Sequence, residues 1–128
     1  LSLHDALPIY HLELDPQNTA FVNEFLEDKG YQFTKRLLNH DSKIDAIITT
    51  DSMLAEGVCN YLNENQLSVP TLAFDSIKPK LDLTAYVDIN TLELGWVSFK
   101  TILQIINDTK ENRQICYRQL IPHRIIER

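Results

Sequence analysis

The chain has 128 residues, of which 44% are hydrophobic and 23% are charged, a composition typical of one globular domain. Its 12 basic and 18 acidic residues give a formal charge of −6, which argues against a chain that itself follows a nucleic-acid backbone. No apolar run approaches the roughly 20 residues of a membrane-spanning helix, so no membrane partner is expected. Cys59 and Cys116 lack CxxC spacing and are expected to be unpaired thiols in a reducing cytoplasm.

Residues 1–9 differ in character from the rest. Their sequence, LSLHDALPI, looks like the translation of a common sequencing adapter, and we expect the authentic chain to begin near Tyr10. The alternative is a native stretch that ends in the turn before Tyr10. A secretory signal is not expected, because the stretch lacks a basic start and an apolar core of roughly 7–15 residues. Residues 1–9 are therefore expected to be a non-native, adapter-like segment, and residues 10–128 to be the authentic chain.

The first half of the chain predicts two strands and a helix. Residues 10–14 alternate in side-chain character and predict a short strand. Apolar spacing over 31–38 predicts a helix, and the acidic pair Glu27-Asp28 suits its N-terminus because the helix dipole favours negative charge there. The β-branched run at 44–50 is typical of a strand buried on both faces.

The second half continues the alternation of strands and helices. Asp51 leads into a helical pattern that reaches Leu62, and short strands are predicted over 72–74 and 84–89. A further helix follows, and residues 115–126 form a last extended segment. The order β-α-β-α-β-β-α-β predicts an α/β fold with a largely parallel sheet flanked by helices.

The last helix has a start signal and an apolar stripe. Asn90 and Glu93 have the spacing of a capping box, which predicts that the Asn90 side chain caps the helix. The apolar positions lie on one stripe, which is expected to pack on the sheet: Leu92, Trp96, Phe99, Leu103 and Ile106.

Two predicted strands end in carboxylates, Asp51 and Asp75. Ligands of open α/β sheets bind beyond the carboxyl ends of the strands, and carboxylates accept strong hydrogen bonds from hydroxyl groups. Phe25 and Phe74 could offer the flat apolar faces on which sugar rings stack. Two simpler readings stay open: Asp51 could be only the N-cap of its helix, and Asp75 an ordinary loop residue.

Signals for catalysis are weak. The sequence contains no GxSxG, HExxH or GxxxxGK[ST] motif, and His11, His40 and His123 have no metal-ligand spacing. A receiver-type phosphoacceptor domain would need an acidic pair after the first strand, which residues 15–18 do not provide. We therefore expect no enzyme, no catalytic residue, no bound metal and no cofactor.

Five segments, in the right order, resemble the lactose/galactose repressor family of bacteria. The segment 44–57, IDAIITTDSMLAEG, is similar to the family pattern PDAIFAANDxxALG. The others are 25–31, similar to aromatic-xxxx-Gly-[FY]; 74–76, at the family's GFDD; 83–95, similar to LTTVxQxxxxxG; and 120–128, similar to LVxRxS. The chain departs from the family in having Ala73 for the glycine of GFDD and a shorter approach to it than VPxDIxVVGFD.

The resemblance implies a periplasmic-binding-protein-like (type I) subdomain. Residues 10–128 would form part of the effector-binding and dimerisation domain, mainly its C-terminal subdomain. The family's cleft-facing asparagine falls at Asp51, its ring-stacking aromatic at Phe25 and its ligand-binding aspartate at Asp75. With Phe74, these are the expected ligand-binding residues.

The resemblance also implies a function, as a cytoplasmic repressor of carbohydrate-utilisation genes. Its partners would be a saccharide effector, of maltose type by likeness over 51–62, and a second copy in a homodimer. DNA would be bound only through a helix-turn-helix domain that this chain lacks. The alternative is a sugar-binding protein of a transport system with the same fold.

Overall fold

The computed structural model describes residues 15–40, 43–75, 81–111, 113 and 116–127, so the predicted strand over 10–14 lies outside the described residues. Helices and strands alternate along the described chain. In order they are α1 (Glu27–His40), β1 (Ile47–Thr49), α2 (Ser52–Glu64), β2 (Thr71–Phe74), β3 (Ala85–Asp88), α3 (Thr91–Lys110) and β4 (Arg124–Glu127).

The strands form one sheet in the order β1-β2-β3-β4. The first three are parallel, and β4 is antiparallel to β3, so the predicted largely parallel sheet is confirmed. Thr49 is paired with Ala73, and Phe74 with Val87. Because β1 and β2 run in the same direction, the residues that follow them emerge side by side at one edge of the sheet.

One face of the sheet carries the hydrophobic core. On this face α2 contributes Val58 and Leu62, which pack with Ile47, and Ala55 and Cys59, which pack with Ala73. On the other face Ile48 is 49% exposed and Phe74 is 44% exposed. The prediction that the strand within residues 44–50, which is β1, is buried on both faces is therefore wrong. The reason is that α1 packs on α2 instead of on the opposite face.

Two glycines let α1 and α2 approach closely. A Cβ atom added to Gly30 would overlap the backbone carbonyl of Leu54, and one added to Gly57 would overlap that of Glu27. Only glycine permits this separation, because every other residue carries a Cβ. Thr34 lies next to the crossing and is 1% exposed. Its hydroxyl donates a hydrogen bond to the Gly30 carbonyl at 2.8 Å.

Polar side chains at the rim of this crossing join the same two helices. The Tyr31 hydroxyl donates to Glu64 Oε2 at 2.6 Å, and its ring meets Tyr61 edge to face at 5.2 Å between centroids. The hydrogen bond to Glu64 raises the pKa of Tyr31. Asn60 Nδ2 donates to Glu27 Oε1. The helix pair is thus held by backbone contact at its centre and by side-chain bonds at its edge.

The start of α3 differs from the prediction. Asn90 has φ 54° and ψ 56°, and its side chain makes no capping hydrogen bond. A capping side chain requires an extended backbone at the N-cap, so the predicted capping box is wrong. Instead the Asn90 backbone N–H donates to Asp88 Oδ1 at 2.9 Å, which ties the turn to the end of β3.

The apolar stripe of α3 is exposed. Leu92 is 86% exposed, and Trp96 and Phe99 are 55% exposed. The prediction that this stripe packs on the sheet is wrong, because the helix layer on the sheet is α2. Lys100 Nζ lies over the Trp96 ring, 5.0 Å from its centroid, so the ammonium group covers part of that ring.

Residues that follow α3 form hydrogen bonds and an ion pair with the last turn of that helix. Asp108, 9% exposed, accepts a hydrogen bond from the Tyr117 hydroxyl and lies 3.9 Å from the Arg113 guanidinium. The hydrogen bond to Asp108 raises the pKa of Tyr117. The Arg113 backbone N–H also donates to the Asp108 carbonyl, at 2.8 Å. These contacts join Arg113 and Tyr117 to the last turn of α3.

The helix crossing generates a prediction for Gly57→Ala. The new methyl group would force α1 away from α2, and we expect the free energy of unfolding to fall by about 1–3 kcal/mol. The matched control is Gly95→Ala in α3, where an added Cβ meets nothing within 4 Å. There the better helix propensity of alanine should raise stability by about 0.5–1 kcal/mol. Urea unfolding measures both variants, and equal effects would refute the close crossing.

Candidate functional site

The tips of β1 and β2 meet at one edge of the sheet. Thr49 of β1 is paired with Ala73 of β2. Asp51 lies two residues after Thr49, and Asp75 lies two residues after Ala73. Between the tips, Ser52 Oγ donates a hydrogen bond to Asp75 Oδ2 at 3.3 Å. The structure thus brings the two predicted acidic ends to one place.

Asp51 is the N-cap of α2. Its backbone is extended, with φ −153° and ψ 152°, and its Oδ1 accepts from the backbone N–H groups of Met53 at 2.7 Å and Leu54 at 3.3 Å. The capping role that the sequence leaves open is therefore confirmed. Both bonds fall on Oδ1, and the residue is half-buried, so Oδ2 keeps its capacity to accept from a ligand hydroxyl. Ligand binding by Asp51 stays a prediction.

Asp75 has an unusual backbone. Its φ is 115°, a region that residues with a Cβ rarely adopt and that costs on the order of 1–3 kcal/mol. The surrounding structure fixes this conformation, since the Asp75 backbone N–H donates to the Val87 carbonyl at 3.0 Å. Such backbone outliers cluster at ligand sites, where they hold a side chain in a set direction. Ligand binding by Asp75 stays a prediction.

The two predicted aromatic residues lie in different settings. Phe74 is 44% exposed, directly precedes Asp75 and lies on the open face of the sheet. Phe25 is 56% exposed and lies two residues before α1. The hydrogen bond that joins the strand tips does not involve Phe25, and a stacking role for it stays a prediction.

Ser52 is a residue that the sequence patterns do not single out. It is the first residue of α2, and it stands where the family pattern PDAIFAANDxxALG has its aspartate. A signal for it exists in the sequence, namely a hydroxyl directly after an acidic strand tip. Its contact with Asp75, however, joins residues 23 positions apart and emerges only when β1 and β2 are paired.

The cysteines lie outside this edge of the sheet. Cys59 and Cys116 are both free thiols. Burial raises the pKa of Cys59, whose Sγ donates to the Asp82 carbonyl at 3.5 Å, while Cys116 is exposed. The described residues include no group of three or more His, Cys, Asp or Glu side chains that could hold a metal ion. Among the described helices, none combines the length and hydropathy needed to cross a membrane.

Comparison with curated proteins finds two relatives that match over nearly the whole chain. No family model matches the chain. The HTH-type transcriptional regulator MalR of Streptococcus pneumoniae serotype 4 (strain TIGR4) is 67% identical over 123 residues, which cover 96% of this chain and 38% of that protein. MalR of Streptococcus pneumoniae strain R6 matches to the same extent. This similarity supports the resemblance to the lactose/galactose repressor family.

The fold of the family is also found in a solved structure. The crystal structure of the transcriptional regulator LacI from Bacillus cereus subsp. cytotoxis NVH 391-98 superposes with a TM-score of 0.84 at 21% sequence identity. The match covers 98% of this chain and 46% of that one. The predicted periplasmic-binding-protein-like α/β fold is confirmed. The chain spans less than two fifths of the length of the curated relatives it matches, 38% in each.

The capping geometry generates a prediction for Asp51. Asp51→Ala removes the acceptor of two backbone N–H groups, and the free energy of unfolding should fall by about 0.5–2 kcal/mol. Asp51→Asn is the matched control, because an asparagine side chain also caps helices and should keep most of that stability. Chemical unfolding monitored by circular dichroism measures both variants. Equal losses in the two variants would contradict the capping role.

Proposed function

We propose that this chain is part of the effector-binding portion of a bacterial transcription repressor, and that it forms one side of a saccharide site at the tips of β1 and β2. The observation that carries this proposal is the contact between Ser52 and Asp75. It draws together two acidic strand tips at positions where the family resemblance implies ligand binding. The 67% identity to MalR, a transcriptional regulator, supports the regulatory role.

The chemistry of the strand tips suits a ligand rich in hydroxyl groups. Carboxylates such as those of Asp51 and Asp75 accept hydrogen bonds from hydroxyls, and an ionised acceptor strengthens these bonds. Phe74 offers an exposed aromatic surface immediately before Asp75. Sugar rings bind through this combination of an apolar face and peripheral hydroxyls. We propose Phe25 as a second stacking surface.

In this proposal the sugar acts as a switch. It shifts the equilibrium between two conformations of the regulator only as far as it binds one of them more tightly than the other. DNA contact is made by another part of the protein, and a homodimer presents two such parts to a two-fold operator. Because the chromosome lies in the cytoplasm, we propose that the protein acts there, without enzymatic activity.

A sugar-binding protein of a transport system is the alternative function. Such a protein would use the same fold and the same strand tips. The relatives at 67% identity are transcriptional regulators, and this observation favours the repressor.

Titration of the complete protein tests the proposal. Its affinity for DNA from its own promoter region is measured by fluorescence anisotropy while maltose, maltotriose, glucose and galactose are added in turn. We expect at least one of these sugars to change that affinity. In Asp75→Asn the charged acceptor is lost, and about 10- to 100-fold more sugar should be needed.

The control for this titration is Asp45→Asn, an exposed aspartate at the opposite end of β1. It removes the same charge without touching the strand tips and should respond to sugar as the wild-type protein does. A DNA affinity that none of the sugars changes would contradict the effector function. Equal effects of Asp75→Asn and Asp45→Asn would place the site elsewhere.

A further inference from the structure

We propose that the Ser52 hydroxyl is itself a ligand contact of the saccharide site, and that its oxygen accepts a hydrogen bond from a sugar hydroxyl. This inference rests on the proposed function, since it concerns the same site. It goes beyond the family resemblance, which points to Asp51 and Asp75 but gives no role to a hydroxyl at position 52.

Ser52 lies between the two acidic strand tips. It is the first residue of α2 and directly follows Asp51, the cap of that helix. Its hydroxyl reaches the tip of β2, where it donates a hydrogen bond to Asp75 Oδ2 at 3.3 Å. The residue is half-buried, so a ligand can reach its side chain while the helix fixes its backbone. A sugar that contacts both acidic tips would therefore also meet this hydroxyl.

The direction of this hydrogen bond decides what Ser52 can offer a ligand. A hydroxyl group carries one proton and two acceptor lone pairs, whereas an ionised carboxylate is only an acceptor. The proton of Ser52 is therefore committed to Asp75, and no described residue donates to the Ser52 oxygen. Asp75 has a further interaction besides this one, and the direction of the bond from Ser52 does not depend on it. Ser52 thus presents an acceptor, and the ligand must supply the proton.

A sugar hydroxyl is the kind of ligand group that completes this arrangement. When it donates to Ser52 Oγ, two hydrogen bonds form a chain that runs from the ligand through Ser52 to the Asp75 carboxylate. Hydrogen bonds in such a chain polarise and strengthen one another. The family pattern has an aspartate at this position, which could accept from the sugar but, when ionised, has no proton to donate to Asp75. Serine therefore permits a chain of hydrogen bonds that an ionised aspartate does not.

A direct contact makes the effect of Ser52 depend on one hydroxyl of the ligand. The loss of one hydrogen bond between neutral groups weakens binding by about 2- to 10-fold. A sugar in which hydrogen replaces the contacting hydroxyl cannot donate to Ser52, so it should lose this factor in the wild-type protein. In Ser52→Ala the same sugar should lose little, because the acceptor is already absent. Removal of any other hydroxyl should affect the two proteins alike.

A cycle of protein variants and sugar analogues in the complete protein tests the contact. Calorimetry with maltose, maltotriose, glucose and galactose identifies the sugar that binds most tightly, and its monodeoxy derivatives are then titrated into the wild-type protein and Ser52→Ala. We expect Ser52→Ala to bind the parent sugar about 2- to 10-fold more weakly. We expect one monodeoxy derivative to bind both proteins with about equal affinity, because it lacks the hydroxyl that Ser52 contacts.

Ser52→Thr and Ser68→Ala are the matched controls. Threonine keeps the hydroxyl and should keep wild-type affinity. Ser68 is exposed and precedes β2, at the end of the strand opposite Asp75, so its loss should leave binding unchanged. Each derivative is compared with its parent sugar in the same protein, so a change in the stability of Ser52→Ala does not affect the comparison.

The possible failures separate this inference from the proposed function. Wild-type protein that binds none of the sugars would overturn both. Wild-type binding that Ser52→Ala leaves unchanged overturns this inference alone. The same holds if Ser52→Ala weakens the parent sugar and every monodeoxy derivative by one common factor, because Ser52 then acts without touching the ligand.

Discussion

The close crossing of α1 and α2 is the contact on which the arrangement of the other elements depends. Gly30 and Gly57 let the two backbones touch, so α1 packs as an outer layer on α2. In turn, α2 packs on β1 and β2. Protein interiors are packed densely enough that a shift of one helix is transmitted to its neighbours. The N-terminus of α2 lies at the tip of β1, and its first residue contacts Asp75. The geometry of the candidate site therefore depends on a crossing that none of the site residues makes.

The parallel pairing of β1 and β2 places the candidate binding residues at the same end of the sheet. Because β1 and β2 run in the same direction, their ends deliver Asp51 and Asp75 to one place, linked through Ser52. Asp51 combines two tasks that are compatible, since its cap bonds use one carboxylate oxygen. Asp75 has a strained backbone conformation. The hydrogen bond from its backbone N–H to the Val87 carbonyl helps to stabilise that conformation. In the proposed regulator these features would orient acceptors before a sugar binds, which lowers the entropic cost of binding.

Local patterns predicted most of the elements and the two acidic strand tips, because strand and helix periodicity and helix capping are properties of neighbouring residues. The failures concern partners that are distant in sequence. Periodicity identified the apolar stripe that begins at Leu92 but did not show that α3 lies away from the sheet. The β-branched run containing Ile48 did not show that one face stays open, and the residue types at Asn90 did not reveal its left-handed backbone. Ser52 stayed unrecognised because its partner is brought near only by strand pairing.

The most direct test of the account is to locate a bound sugar relative to the two ends of β1. Backbone amide chemical shifts of the complete, isotopically labelled protein are recorded while maltose, maltotriose, glucose and galactose are titrated. The account predicts saturable shifts at the amides of Ser52 and Asp75, with the amide of Asp45 at the opposite end of the strand unchanged. A sugar that saturates the protein while moving Asp45 and leaving Ser52 and Asp75 in place would contradict it.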